Sequence, residues 1–280
     1  MPNTLFDTHF HYSGNPPPTE FMAGVQTVLK EVCAERNWPE VPQLRLAAMG
    51  GSVAESRLAR QFSANVPGSV FAVGVHPHQA TEFSGDAAEF AEFRHDPQLA
   101  AIGEIGLDYY YDCAPRERQR QVFAQFLELA LAWGLPACIH LRDAADAETV
   151  YADALAVLRD YAQAGGTGVI HCFAGTPDWA ERFLELGFYC GVTGMITFRR
   201  ADNIRAAIRR VPKDRLLLET DAPYLAPVPF RGRENHPGYL PLVVEAVSQL
   251  WECPITEVLK TTCANAQNFY RISDEQVTEN

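Results

Sequence analysis

The amino-acid sequence predicts an α/β fold of the (β/α)8 type, a TIM-type barrel formed as one domain by residues 1–280. Short apolar runs alternate with longer amphipathic ones, the pattern of strands and crossover helices around a parallel sheet. The runs recur about every 30 residues, the length of one strand plus its helix. Side chains able to ligate a metal, namely His9, His11, Glu104, His140, His171 and Asp221, close these runs across the whole chain. A barrel gathers such residues, because its active site lies at the carboxyl ends of the strands. An open doubly wound sheet is the competing architecture and predicts a glycine-rich loop after the first strand. That segment reads FDTHFHY and contains no glycine.

Eight strands are expected, at 4–9, 44–49, 70–75, 100–105, 136–140, 168–171, 188–192 and 215–220. Most are apolar throughout, as strands are when helices cover one face and packed side chains fill the other. Between them, 116–133 begins polar and carries an apolar stripe through Val122, Phe126, Leu129 and Trp133, the spacing of an amphipathic helix. Gly134 and Pro136 end it. A shorter helix is expected at 178–186, stopped by Gly187, and the last two at 240–251 and 256–269.

Hydrophobic content of 47% and charged content of 21% are ordinary for a globular chain. A chain of this length buries a full core without disulfides. The proline-rich stretches at 15–18 and 223–229 are local, and none reads as a linker. Seven cysteines without C-x-x-C spacing argue against a disulfide framework or a zinc ribbon. Cys138, Cys172 and Cys190 lie in or beside apolar runs and read as buried free thiols, which suits a reducing cytosol. The first strand begins almost at once, so no secretory signal is expected. The longest uncharged apolar stretch, 129–141, is broken by Gly134 and Pro136 and falls short of the roughly 18 residues a membrane span needs. The expected setting is cytoplasmic, with no membrane and no obligate protein partner. A net charge of −12 disfavours broad contact with nucleic acid, which takes a basic face. A small local site stays open, and bound cations add positive charge that the formal count omits.

The chemistry begins with Asp7-Thr-His9-Phe-His11. Alternation in a strand puts His9 and His11 on one side, about 7 Å apart along the backbone, so both can converge on one metal. Asp7 shares that parity and can orient a histidine from behind. The alternative is a polar strand end that happens to hold two histidines. Glu104 is acidic within an apolar strand, where a carboxylate is costly unless paired or metal-bound, and its two oxygens can bridge two cations. Asp108 and Asp112 fall beyond that predicted strand, where helix capping or solvent exposure is expected. A lone strand-end histidine is more often a core residue, but His140 and His171 close consecutive strands at matching positions and read as ligands. Asp221 can bind metal and take a proton from an attacking water. Glu219 shares its parity nearer the barrel centre; the mouth position favours Asp221.

His76 and His78 flank Pro77, which breaks strand geometry between them. His76 is read as facing substrate, and His78 is left open. Cys172 reads as a buried thiol rather than a nucleophile. Arg142, Arg199, Arg200, Arg231 and Arg233 follow strand ends, and guanidinium groups suit bidentate phosphate contacts. Solvated surface is the alternative for each.

From residue 6 to about 269, the chain resembles the TatD family of metal-dependent deoxyribonucleases, within the amidohydrolase-like barrels. The segments that carry the resemblance are DTHFH, GVHPH, GEIGLDYYYD, PACIHLRDA, VIHCFAG, GVTGMITFR, LLLETDAPYLAP and RGRENHP, with the late Asn265. The resemblance implies a site for two divalent metal ions (Mg, Mn or Zn). One would be held by His9, His11, Glu104 and Asp221, the other by Glu104, His140 and His171, with Glu104 bridging. It implies that Asp221 helps activate the attacking water, and that His76, Arg142 and Tyr224 contact substrate. A phosphotriesterase-like barrel would place a modified lysine on strand four, where this chain has Glu104. The segment 13–41, with NPPP and WPEVP, is less family-like. The implied activity is phosphodiester hydrolysis, 3′→5′ on single-stranded DNA ends. Two rivals stand beside it. One is hydrolysis of a small ester, lactone or phosphoester at the same centre, favoured by the acidic charge and the absence of an aromatic-basic nucleic-acid motif. The other is an inactive binding barrel, against which the intact ligand set counts.

Overall fold

The structure is a computed structural model that describes residues 3–111, 113–144 and 147–272. Eight strands run parallel in sequence order. They are β1 (Thr4–Phe10), β2 (Gln43–Ala48), β3 (Val70–Val73), β4 (Leu99–Asp108), β5 (Ala137–Arg142), β6 (Gly168–Ile170), β7 (Tyr189–Val192) and β8 (Leu216–Leu218). The helices are α1 (Pro18–Glu35), α2 (Val53–Asn65), α3 (Arg116–Trp133), α4 (Thr149–Gln163), α5 (Pro177–Leu184), α6 (Asp202–Arg210), α7 (Leu240–Trp251) and α8 (Ile255–Tyr270). This is the (β/α)8 barrel that the alternation predicts. Its α3 follows the expected pattern: Val122 and Phe126 are buried, Leu129 and Trp133 are half-buried, and Gly134 ends the helix at φ 68°.

Two departures are physical. The β3-to-β4 crossover has no α-helix, only 3-10 turns at Pro77–Gln79 and Ala87–Phe93. Phe83, Phe90 and Phe93 still cover the sheet there, with Phe83 and Phe90 packed on Phe126 of α3. The other departure is that β4 runs on to Asp108, because its pairing with β5 continues through Gly106–His140, Leu107–Leu141 and Asp108–Arg142. Asp108 is therefore a strand residue and fully buried, not the solvent-exposed or capping residue the sequence suggests. Asp112 lies outside the described residues.

Small side chains line the inside of the sheet, among them Ala47, Ala72, Ala101 and Cys138, and Phe269 and Tyr270 of α8 pack with them. The Tyr270 hydroxyl donates to the Thr8 carbonyl at 2.6 Å, which fixes α8 to β1. Among the described residues, the seven cysteines are free, and no helix is long and apolar enough to cross a membrane.

The seam between β8 and β1 is closed by individual bonds. The Asp221 N–H donates to the His9 carbonyl at 2.9 Å, and the His11 N–H donates to the Ala222 carbonyl at 2.8 Å. Asp7, fully buried, ties the two sides together. Its Oδ1 accepts the N–H groups of Thr220 (2.9 Å) and His9 (3.2 Å), and its Oδ2 meets the Thr220 hydroxyl at 2.5 Å. Asp7 thus holds backbone, not a histidine ring as its parity suggests. Burial pushes its carboxyl up to about 7, against the pull of the Thr220 and His9 bonds.

The folded-state value of Asp7 lies above the unfolded one of 3.8. The protonated carboxyl stabilises the fold fully below about pH 4, and that contribution is lost as pH rises through about 7. Asn fits the same bonds without titrating. Denaturant unfolding at pH 4.5 and 8 should therefore show wild type losing stability relative to Asp7→Asn by on the order of a few kcal/mol. A difference that does not move with pH would contradict a buried, protonated carboxyl.

Candidate metal centre

His9 and His11, at the end of β1, meet Glu104 of β4 and Asp221, three residues past β8. His9 Nε2 lies 3.4 Å from Glu104 Oε2 and 3.8 Å from Asp221 Oδ1. His11 Nε2 lies 3.3 and 3.4 Å from the same two oxygens, and 3.3 Å from His9 Nε2. Donors held about 2.0–2.2 Å from one metal ion stand about 3 to 3.6 Å apart. Two imidazoles and two carboxylates therefore surround one point at nearly metal-cage spacing. Asp221 reaches it from a left-handed backbone (φ 57°), a conformation costly for a residue with a Cβ and concentrated at functional sites.

The second oxygen of Glu104 serves a second group. Glu104 Oε1 lies 2.8 Å from His140 Nδ1, 3.8 Å from His76 Nε2 and 3.9 Å from His171 Nε2. His171 Nε2 also lies 3.6 Å from Asp221 Oδ1. Donors of His9, Glu104 and His171, of His9, His11 and Asp221, and of His76, Glu104 and His140 each fall within 4.8 Å of one another. The mixed imidazole and carboxylate donors suit a divalent cation such as Zn, Mn or Mg. His76, read from sequence as facing substrate, stands at the edge of the second group.

Carboxylates behind the rings set which nitrogen faces inward. His171 Nδ1 donates to Glu219 Oε2 at 2.9 Å, and His140 Nε2 faces Asp108 Oδ2 at 3.2 Å. Each bond leaves the opposite ring nitrogen directed at Glu104. Glu219, the sequence alternative to Asp221, thus stands behind a histidine instead of at the mouth. It also accepts the Cys172 N–H at 2.9 Å. A Cβ on Gly191 would run into the Glu219 carboxylate, so glycine there leaves room for it in this position. On β4, a Cβ on Gly106 (φ 141°) would lie 2.1 Å from the His140 carbonyl, so glycine is what lets β4 and β5 approach. Cys172 is partly buried, and burial pushes its thiol well above the ordinary value, which disfavours a nucleophilic thiolate.

The electrostatics are those of carboxylates surrounded by imidazoles. Burial raises Glu104, but His76, His9 and the bonds from His11 and His140 outweigh it and hold the carboxyl well below its ordinary range. Burial opposes the charge on His11, yet bonds to Asp221 and Glu104 push it up to about 10. His140 rises to about 9 through Asp108 and Glu104, again against burial. His9 goes down through burial and the neighbouring His171, whose ring stacks on it at 3.4 Å.

Above the centre opens a cavity of about 1100 Å³. His76, Arg142 and Tyr224 all line it, as do Arg231, Arg233 and the unassigned His78. The Arg142 guanidinium lies 4.4 Å over the Tyr110 ring and 4.7 Å over Tyr111. That of Arg231 lies 4.5 Å over Phe198. Tyr224 is 61% exposed. The sequence holds no contiguous aromatic-basic motif, but the fold assembles such pairs from separate segments. Arg199 and Arg200 are exposed and do not line the cavity. Sequence reading missed Asp108, Tyr110 and Tyr111. The signal available was that Asp108 shares the strand parity of Glu104.

Residues able to ligate a metal ion thus gather at the carboxyl ends of the strands of a parallel barrel, where the active site of this fold lies. Residues 6–271 match the model of the TatD related DNase family, and the chain belongs to that family. It is 32% identical over 270 residues, 96% of this chain and 100% of the relative, to the uncharacterized metal-dependent hydrolase YabD of Bacillus subtilis. It is 38% identical over 236 residues (81% and 87%) to the 3′-5′ ssDNA/RNA exonuclease TatD of Erwinia billingiae. Among solved structures, the TatD homolog YjjV of Escherichia coli K12 superposes with TM-score 0.80 at 26% identity, covering 96% of this chain and 98% of that one. The chain is accordingly a metal-dependent hydrolase acting on ester bonds.

Cation binding needs neutral imidazoles, and His11 and His140 hold protons up to about 10 and 9. Protons therefore compete with the cation below those values. Zinc or manganese affinity should rise with pH, by about tenfold per unit for each proton displaced, and binding should release protons. Calorimetry in two buffers of different ionisation enthalpy measures both. Affinity flat between pH 6 and 9 would contradict the assignment.

Proposed function

We propose that this enzyme removes nucleotides from the 3′ end of single-stranded DNA at a centre that takes two divalent cations, Mg, Mn or Zn. The observation that carries the reading is Glu104, which turns one oxygen to each of two donor groups beneath a cavity rimmed by arginine and tyrosine. His9, His11, Glu104 and Asp221 would hold one cation; Glu104, His140 and His171 would hold the other. When bound, the cations neutralise phosphodiester charge and lower the pKa of the attacking water.

The side chains do the rest. Asp221, at the cavity wall, accepts the proton of the attacking water, and Glu104 keeps the two donor groups in fixed relation. Arg142 binds non-bridging phosphate oxygens, with His76 beside it at the cavity edge. Tyr224, with Tyr110 and Tyr111, offers ring faces for unpaired bases, a contact that needs no sequence preference. A net charge of −12 is compatible with this, since an end-binding enzyme contacts few phosphates. The relatives named 3′-5′ ssDNA/RNA exonuclease support the direction and the single-stranded substrate.

Metal-stripped protein assayed on an end-labelled single-stranded oligonucleotide tests the reading. With Mg, Mn or Zn restored, wild type should produce a ladder from the 3′ end, and Asp221→Asn should lower kcat by about 10²–10⁴. Hydrolysis of p-nitrophenyl esters with no cleavage of oligonucleotides would overturn it. Separately, Arg142→Ala should raise KM for the oligonucleotide several-fold with kcat nearly unchanged. An equal loss in kcat alone would place Arg142 outside ground-state binding.

A further inference from the structure

We propose that Asp108 is a positioning residue that joins the second cation group to the grip on the strand end. The inference rests on the reading of His140 as a ligand given above. The Asp108 side chain is fully buried at the end of β4. Its Oδ2 lies between two imidazoles, 3.2 Å from His140 Nε2 and 2.8 Å from His78 Nε2. Its Oδ1 accepts the N–H groups of Tyr110 and Tyr111, both at 2.9 Å. Gln119 of α3 brackets the same residue: its Oε1 accepts the Asp108 N–H at 2.8 Å and its Nε2 donates to the Asp108 carbonyl at 3.0 Å. One carboxylate thus takes four hydrogen bonds and cannot rotate without breaking several.

Each bond has a consequence. As an acceptor facing His140 Nε2, Asp108 keeps a proton on that nitrogen and leaves Nδ1 for the centre, 2.8 Å from Glu104 Oε1. The bond to His78 fixes a second imidazole whose ring meets Tyr111 edge-on at 5.3 Å. The two backbone bonds hold the turn that carries Tyr110 and Tyr111 beneath the Arg142 guanidinium. Metal loading and the aromatic-basic rim therefore share one anchor.

The test separates the two halves of Asp108. In Asp108→Asn, the Tyr110 and Tyr111 N–H groups hold the amide oxygen at the Oδ1 position, so the amide N–H groups face the imidazoles. His140 must then move its proton to Nδ1, the cation-facing nitrogen. Zinc titration against a chromophoric chelator should show one of two equivalents weakened about 10–100-fold and the other within about twofold. Long-range nitrogen-15 spectra of the histidine rings, at two equivalents of zinc, should show the His140 proton on Nε2 with Nδ1 unprotonated in wild type, and a proton on Nδ1 in the variant. Asp108→Ala should lose these and also the turn. Its affinity for a 3′-fluorescent oligonucleotide, measured without cations, should fall several-fold, while Asp108→Asn binds it nearly as wild type does.

Equal weakening of both zinc equivalents in Asp108→Asn, or an unmoved His140 proton, would overturn the positioning role. Oligonucleotide affinity unchanged in Asp108→Ala would overturn the coupling to the rim. Wild-type protein that binds no oligonucleotide would count against the nuclease reading and the rim together, and the zinc titration would still decide the role of Asp108 toward His140.

Discussion

The site depends on one buried carboxylate. Glu104 sits in an apolar strand, nearly inaccessible to water, where an uncompensated charge costs several kcal/mol. Five histidines, from the end of β1, from β5 and from the segments after β3 and β6, stand within 4 Å of it and supply the compensation, so the strands must end where those rings can reach it. The requirement reaches into the backbone. Gly106 exists because β4 must pass close to His140, and β4 and β5 shift register between Ile102 and Ile105, the stretch that holds Glu104. Without cations, protonated His11 and His140 neutralise the carboxylates. Protons on these rings and bound cations would play the same electrostatic role.

Around this pair of inner carboxylates, Glu104 and Asp221, stands an outer set that holds other protein groups in place. Asp7 holds the backbone on both sides of the β8–β1 seam, Glu219 orients His171, and Asp108 orients His140. The outer acids differ in charge state according to their partners. Asp7 meets backbone N–H groups and a hydroxyl, and burial keeps its proton on up to about pH 7. Asp108 is buried too, yet its bonds from His140, Tyr111 and His78 hold it below its ordinary value. A net charge of −12 therefore says little about the mouth, because several of the acids counted are engaged inside the barrel and arginines rim the cavity.

Much of this was legible in the chain. Alternating apolar runs show the barrel because period and spacing are local properties, and all eight strands lie close to the predicted ranges. The six donor residues were visible because a polar group closing an apolar strand is conspicuous. What was hidden depends on tertiary contact. The β3-to-β4 crossover buries three phenylalanines through 3-10 turns, and no helical period marks that. The reach of β4 to Asp108 comes from pairing with β5, so Asp108 looked like a loop residue. Parity could not separate Glu219 from Asp221. The left-handed turn at Asp221 does, by sending one side chain to the mouth and leaving the other behind His171. The arginine–tyrosine rim joins residues some thirty positions apart and exists only once the barrel is closed.

Glu104 is the residue that would hold two cations together. Electron paramagnetic resonance of protein loaded with two equivalents of manganese tests it directly. A carboxylate bridge couples two ions magnetically, so wild type should give the multiline spectrum of an exchange-coupled pair, collapsing to isolated-ion lines in Glu104→Ala. A wild-type spectrum of isolated manganese alone at two equivalents would contradict it.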